Sequence, residues 1–173
     1  QKRKRRFKEK SKYGKNQIPG ADIKKGDGEI FLLGKTKFEI IHIPGHTLDH
    51  ISFFSKNSKI IFTGDTLFSL GCGRIFEGTL KQMFDSLEKI KKIPKNTMIY
   101  CGHEYTLQNS KFCLANDSTN LKLKEKIKII KKKINNNLTT MPTLLDDEME
   151  CNIFLRAKSL ESFSKLRDLK DNF

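Results

Sequence analysis

Apolar and polar positions alternate most regularly in the first half of the chain, where the two-residue period predicts strands. Residues 29–33 and 36–43 read as two strands around a turn at Gly34-Lys35. Ile51-Ser52-Phe53-Phe54 and Ile60-Ile61-Phe62 are richer in β-branched and aromatic residues, and Ser55-Lys56-Asn57-Ser58 interrupts them, which predicts two buried strands joined by a tight turn. From Thr79 the period becomes helical. Leu80, Met83, Phe84, Leu87 and Ile90 fall on one face, Gln82 stands where a capping box needs it, and Pro94 follows the end. On that spacing Met83 and Phe84 are core residues.

Residues 97–101 read as a short buried strand and 107–115 as a helix. Residues 120–137 read as a Lys-rich helix with Leu123, Ile127, Ile130 and Ile134 inward, ended by the Asn run at 135–137. A short helix within 139–156 is expected to give way to a loop at 151–156. The last helix starts near Leu160, with Phe163 and Leu166 or Leu169 inward. Two stretches resist regular structure: 13–27, a turn-rich loop around Ile18-Pro19-Gly20, and the glycine-rich 71–78, which is expected to line a site. Strands alternating with helices make this an α/β chain.

Charge changes the picture little. The net charge of +14 invites a nucleic-acid partner, but the lysines are scattered among Ile and Asn without an aromatic stripe, so most serve solvated faces and a few a small anionic substrate. The block Lys2 to Arg6 is too charged to pack, and residues 1–12 are expected to be disordered. Cys72, Cys101, Cys113 and Cys151 form no C-x-x-C pair, which predicts reduced thiols and no disulfides. Neither a membrane-length apolar run nor a signal peptide is present in the 173 residues, so a soluble protein is expected; it is expected to be cytoplasmic, an organellar form staying open, and a monomer. Because the chain begins with Gln1, it is expected to be part of a longer product.

Three polar residues sit just beyond predicted strands. His46 follows Pro44-Gly45, Asp65 follows Gly64, and His103 follows Gly102. A hairpin returns the first two to one end of a sheet, where an imidazole nitrogen and a carboxylate oxygen can share a metal, and the Gly102-His103 edge repeats the arrangement. Arg167 and Lys170, three apart on the last helix, share a face that can hold a carboxylate.

Taken together, Pro44-Gly45-His46-Thr47, Gly64-Asp65-Thr66-Leu67-Phe68, Gly71-Cys72-Gly73-Arg74, Phe76-Glu77-Gly78-Thr79, Cys101-Gly102-His103-Glu104-Tyr105 and Arg167-Asp168-Leu169-Lys170-Asp171 resemble glyoxalase II, hydroxyacylglutathione hydrolase. The resemblance covers residues 13–173 in order. It implies a partial metallo-β-lactamase αββα sandwich over 13–105, without its N-terminal strands, and a helical substrate-binding domain over 106–173. It further implies hydrolysis of S-D-lactoylglutathione to D-lactate and glutathione at a binuclear metal site, with zinc, iron or manganese as the ion. By the same resemblance His46 binds one metal, His103 the other, and Asp65 bridges them beneath the attacking hydroxide. Arg74, Phe76, Tyr105, Arg167 and Lys170 fall where that family holds glutathione, Phe76 standing where a tyrosine is usual.

The family's H-x-H-x-D-H block does not occur in these residues. The remaining histidines are His50, expected behind the metal ligands, and His42, an ordinary strand residue. Three ligands leave a two-metal shell incomplete, so a weak one-metal site is the most that the 173 residues are expected to offer. Two other readings stay open. One is a persulfide dioxygenase with a single iron, which shares the P-G-H-T, G-D and G-C-G-R blocks; the other is an inactive remnant serving as an interaction module.

Overall fold

The computed structural model describes residues 9–11 and 23–173. β1 (Glu9–Ser11) and β2 (Ile23–Lys25) pair in parallel as a separate two-stranded sheet. The expected disordered arm and turn-rich loop otherwise lie outside the described residues up to Ile23.

The main sheet begins with β3 (Ile30–Leu33) and β4 (Thr36–His42), an antiparallel hairpin turned at Gly34, whose φ of 61° suits glycine. β5 (Ile51–Ser55) and β6 (Ile60–Gly64) form the second hairpin. The chain then makes the small hairpin β7 (Leu67–Phe68) and β8 (Gly71–Cys72), crosses over through α1 (Leu80–Lys91) and returns as β9 (Met98–Cys101), parallel to β6. A parallel pair requires such a crossover, and α1 supplies it. The glycine-rich stretch was expected to be loop throughout. Its first two residues instead pair with Leu67–Phe68, through Leu70 at a φ of 57°.

Cross-strand register sorts the sheet's faces. Phe54, Ile61 and Ile99 stand side by side and join Met83, Leu87 and Ile90 of α1 in the main core. Thr79 caps α1 with the full capping box that its sequence predicts. Phe84 only borders the core, whereas Ser86 is buried, its hydroxyl donating to the Pro44 carbonyl at 2.7 Å. On the opposite face Phe38, Phe53, Phe62 and Tyr100 form a ladder of ring contacts at 5.3–6.3 Å. Phe62 and Tyr100 are 41% and 37% exposed, so β6 and β9, both predicted as buried strands, are buried on one face only.

After β9 come α2 (Thr106–Asn116), α3 (Leu121–Asn135), β10 (Thr143–Leu144), α4 (Leu145–Cys151), α5 (Ile153–Arg156) and α6 (Leu160–Asp171). β10 adds to the sheet edge against β9, giving the order β10-β9-β6-β5-β4-β3. No helix among the described residues is long and apolar enough to cross a membrane. Residues 151–156 are not the expected loop. Asn152 accepts from the Phe154 N–H and starts a one-turn helix whose Ile153, Phe154 and Leu155 are buried. Phe163 is fully buried on α6, but Leu169 is exposed, and Ile134 is at the exposed edge of α3.

The C-terminal helices are fastened to the β7–β8 turn by one acid. Glu148 is wholly buried and accepts from Ser69 Oγ, the Leu70 N–H, Thr143 Oγ1 and Asn152 Nδ2, while Lys126 Nζ lies 2.8 Å away. Leu145, Glu148 and Cys151 are three apart on one short helix and all buried, an acid on an inward stripe. That spacing was the available signal for Glu148, and the sequence reading left the acidic stretch unassigned.

Candidate active site

β5 and β6 are antiparallel and β6 and β9 parallel, so the loop entering β5 and the loops leaving β6 and β9 meet at one end of the sheet. His46, Asp65 and His103 occupy those loops. His46 Nε2 faces Asp65 Oδ2 and His103 Nε2 faces Asp65 Oδ1, each at 3.5 Å. Both separations are too long for good hydrogen bonds. They match the roughly 3.4 Å that separates two donors on one ion with bonds of about 2.0–2.1 Å at a tetrahedral angle.

Each group is set from behind. His46 Nδ1 donates to the Arg74 carbonyl at 2.8 Å, leaving Nε2 to point at Asp65. His50 Nε2 accepts the Asp65 N–H at 2.9 Å, so its ring carries no proton there; burial foremost, then the neighbouring His46, pulls its pKa below the ordinary value. The expected supporting role of His50 is thus given a contact. Its ring lies against Gly64, where a Cβ would stand 2.4 Å from Cε1. A Cβ on Gly102 would stand 2.4 Å from Asp65 Oδ1, and one on Gly73 would strike the Asp65 carbonyl. Gly64, Gly73 and Gly102 are therefore clearances around Asp65 and the His50 ring behind it, Gly102 alone clearing the carboxylate itself. His42 closes β4 and shares its Nε2 with the Leu48 carbonyl.

Asp65 Oδ1 is buried without a hydrogen-bond partner among the described residues. A buried, unmatched carboxylate oxygen is costly and calls for a cation. The donor chemistry fits a metal on each side of Asp65, one imidazole and one carboxylate oxygen apiece. It goes no further: among the described residues no three His, Cys, Asp or Glu side chains converge as the holders of one ion. Zinc takes four donors, so these residues offer two half-shells.

A cavity of ≈ 500 Å³ runs from these donors to α6, and all of the residues expected in the site line it. Tyr105 stacks on His103 with ring centres 5.0 Å apart and meets Phe68 edge-on. Phe76, 70% exposed, lies 4.9 Å from the His46 ring. Lys170 sits over the Phe112 and Phe173 rings, with its pKa lowered by burial first and by Arg167 second.

Arg167 differs from the expected open clamp. It is 3% exposed, donating to the Cys72 carbonyl at 2.9 Å and to Asp171 at 2.8 Å over the Phe154 ring. Both terminal nitrogens are therefore engaged, and Arg74 and Lys170 are the accessible cations. Glu104, left without a role by the sequence, accepts from Thr106 and Thr140 at 2.5 Å each. Burial opposes its charge, but those bonds outweigh it and lower its pKa. It ties the His103–Tyr105 corner to the strand-forming segment before β10.

Residues 2–103 match the family model described as Metallo-beta-lactamase superfamily. Residues 104–173 match the model described as Hydroxyacylglutathione hydrolase C-terminus. A crystal structure of ETHE1 from Myxococcus xanthus superposes with a TM-score of 0.63 at 24% identity, over 90% of this chain and 56% of that one, a likeness of fold. By fold and model, this is a metallo-β-lactamase-superfamily chain. The hydroxyacylglutathione hydrolase of Pelagibacter ubique (strain HTCC1062) is 57% identical over 95% of this chain and 72% of its own length. That of Prochlorococcus marinus (strain MIT 9312) is 48% identical over 93% of this chain and 66% of its own length. The chain belongs to the hydroxyacylglutathione hydrolase, or glyoxalase II, family. It spans about two thirds of the length of the curated relatives it matches.

Proposed function

We propose that the chain provides the substrate wall and half of the donor set of a thioester hydrolase that converts S-D-lactoylglutathione and water to D-lactate and glutathione. The observation that carries this reading is one cavity with two chemically different ends. At one end an imidazole faces each oxygen of Asp65; at the other stand Arg74, Lys170 and Arg167. Arg74 and Lys170, the accessible cations, hold the carboxylates of the glutathione moiety, and the buried Arg167 stands behind them. Tyr105 offers a phenol beside His103, and Phe68 and Phe76 flank the reacting group with apolar surface. The thioester is thereby laid with its carbonyl towards Asp65. His46, Asp65 and His103 hold the ions, zinc being the expected one with iron and manganese as the other family metals. Bound ions supply Lewis-acid polarisation of the carbonyl and an acidified water.

The test uses the purified chain with added zinc. Calorimetry is expected to show glutathione binding that weakens with salt and falls about tenfold in Arg74→Gln/Lys170→Gln, as two lost charge-assisted contacts predict. Hydrolysis of S-D-lactoylglutathione is expected to be far slower than by the Pelagibacter ubique relative, since half of each shell is outside these residues. Absence of glutathione binding would overturn the reading. Oxygen uptake with glutathione persulfide, without thioester hydrolysis, would favour the dioxygenase reading instead.

A further inference from the structure

An acid stands behind the cations of the substrate end. Asp171, on the last turn of α6, accepts from Arg167 Nη2 at 2.8 Å and lies 3.4 Å from Arg74 Nε through the same oxygen. Its two partners are held very differently. Arg167 is buried, stacked on Phe154 and bonded to the Cys72 carbonyl, so it cannot leave. The Arg74 side chain is 63% exposed, and a single long contact between exposed groups holds it only weakly. The Arg74 backbone is separately fixed, because its carbonyl accepts from His46. Its guanidinium is thus free to swing while the donor end stays in place.

We propose that Asp171 is an internal competitor for the carboxylate site, occupying Arg74 in the free protein and yielding it to the carboxylate of an incoming ligand while keeping Arg167. The proposal rests on the reading of the cavity as a glutathione-thioester site. Asp171 acts through Arg74 and is a positioning residue. Its consequence concerns release. Product glutathione carries the same carboxylates as the thioester, so a cation pair open to any carboxylate binds both alike and retains product. An acid already seated on Arg74 lowers the affinity for both and lets glutathione leave.

The test is calorimetric titration of glutathione into the chain and into Asp171→Asn, Arg74→Gln and the double variant. Asparagine keeps an oxygen for Arg167 and removes the charge that competes for Arg74. D171N is expected to tighten binding about threefold, the worth of releasing Arg74 from one loose, solvent-screened surface pair. In the R74Q background the same change is expected to do nothing, and Asp171→Glu is expected to restore ordinary affinity. Weaker or unchanged binding in D171N overturns the proposal, as does equal tightening with and without Arg74, which is the signature of a general field. If D171N does not fold, nuclear magnetic resonance on the unaltered chain decides: glutathione should shift the Arg74 Nε–H signal and leave that of Arg167, and any other pattern overturns the proposal. Failure of the unaltered chain to bind glutathione defeats the underlying reading and the competitor with it.

Discussion

The two ends of the cavity are built on opposite plans. The substrate end grows out of the interior: Arg167 is 3% exposed and Glu148 fully buried, and both bond backbone groups of the β7–β8 hairpin. The donor end lies on a rim, with the His103 side chain 52% exposed and Asp65 28% exposed. At Arg167 and Glu148 function and stability are coupled, because removing either takes a bond from the core, whereas the exposed Arg74 is free of that coupling. At the donor end they separate, because clearances around Asp65 set the chemistry while little of the core depends on them.

The sharpest break of this contrast is Glu148→Ala. It leaves the largely buried Lys126 ammonium with only the Thr143 hydroxyl and a 3.9 Å approach to Asp147, and takes from Ser69, the Leu70 N–H and Thr143 their shared acceptor. Removing one partner of a buried, hydrogen-bonded ion pair costs about 3–5 kcal/mol. Urea unfolding should show a loss of that size together with weaker glutathione binding. A loss below about 1 kcal/mol, the worth of an exposed pair, would mean that the substrate end is not secured from the interior.

At the rim, Gly102→Ala should do the reverse. The added methyl falls 2.4 Å from Asp65 Oδ1, so the carboxylate must turn away. Overpacking of this kind costs about 1–3 kcal/mol, and the surface position favours the low end. Uptake of cobalt, followed by its visible absorption, should fall much further than stability does. Full cobalt uptake by this variant would remove the case for Asp65 as the shared donor.

Which parts of this were legible in the sequence follows from range. The hairpins, the α1 capping box and the convergence of His46, Asp65 and His103 depend on periodicity and on strand direction, both local properties, and the structure places the three side chains together. β10 was missed because two residues beside a proline gain strand geometry only from their partners Ile99 and Met98. The α5 turn was missed because it depends on Asn152, an isolated cap at the end of another helix. Arg167 was read as an open cation from its helical spacing. Spacing gives the face of a helix but not what packs against it, and here Cys72, far away in sequence, and Phe154 of the preceding helix take the guanidinium.

The smallest expected effect probes the interior plan by pH. Burial pushes the Cys72 thiol up to about 11 and the Cys113 thiol up to about 12, from a reference of 9.0. The folded chain therefore keeps protons that the unfolded chain gives up. Their contribution is whole below pH 9 and is lost as pH rises through 9 towards 11 for Cys72 and 12 for Cys113. At pH 10, one unit above the reference, the loss is about 1.4 kcal/mol per thiol. Cys113→Ala deletes one of these terms, and its packing cost is the same at every pH. The gap in unfolding free energy between the unaltered chain and this variant should therefore narrow by that amount between pH 8 and pH 10, while lysine and tyrosine titrations cancel in the difference. A gap that stays constant would show that Cys113 ionises as readily in the fold as in the open chain, and that the wall beneath the substrate end admits water.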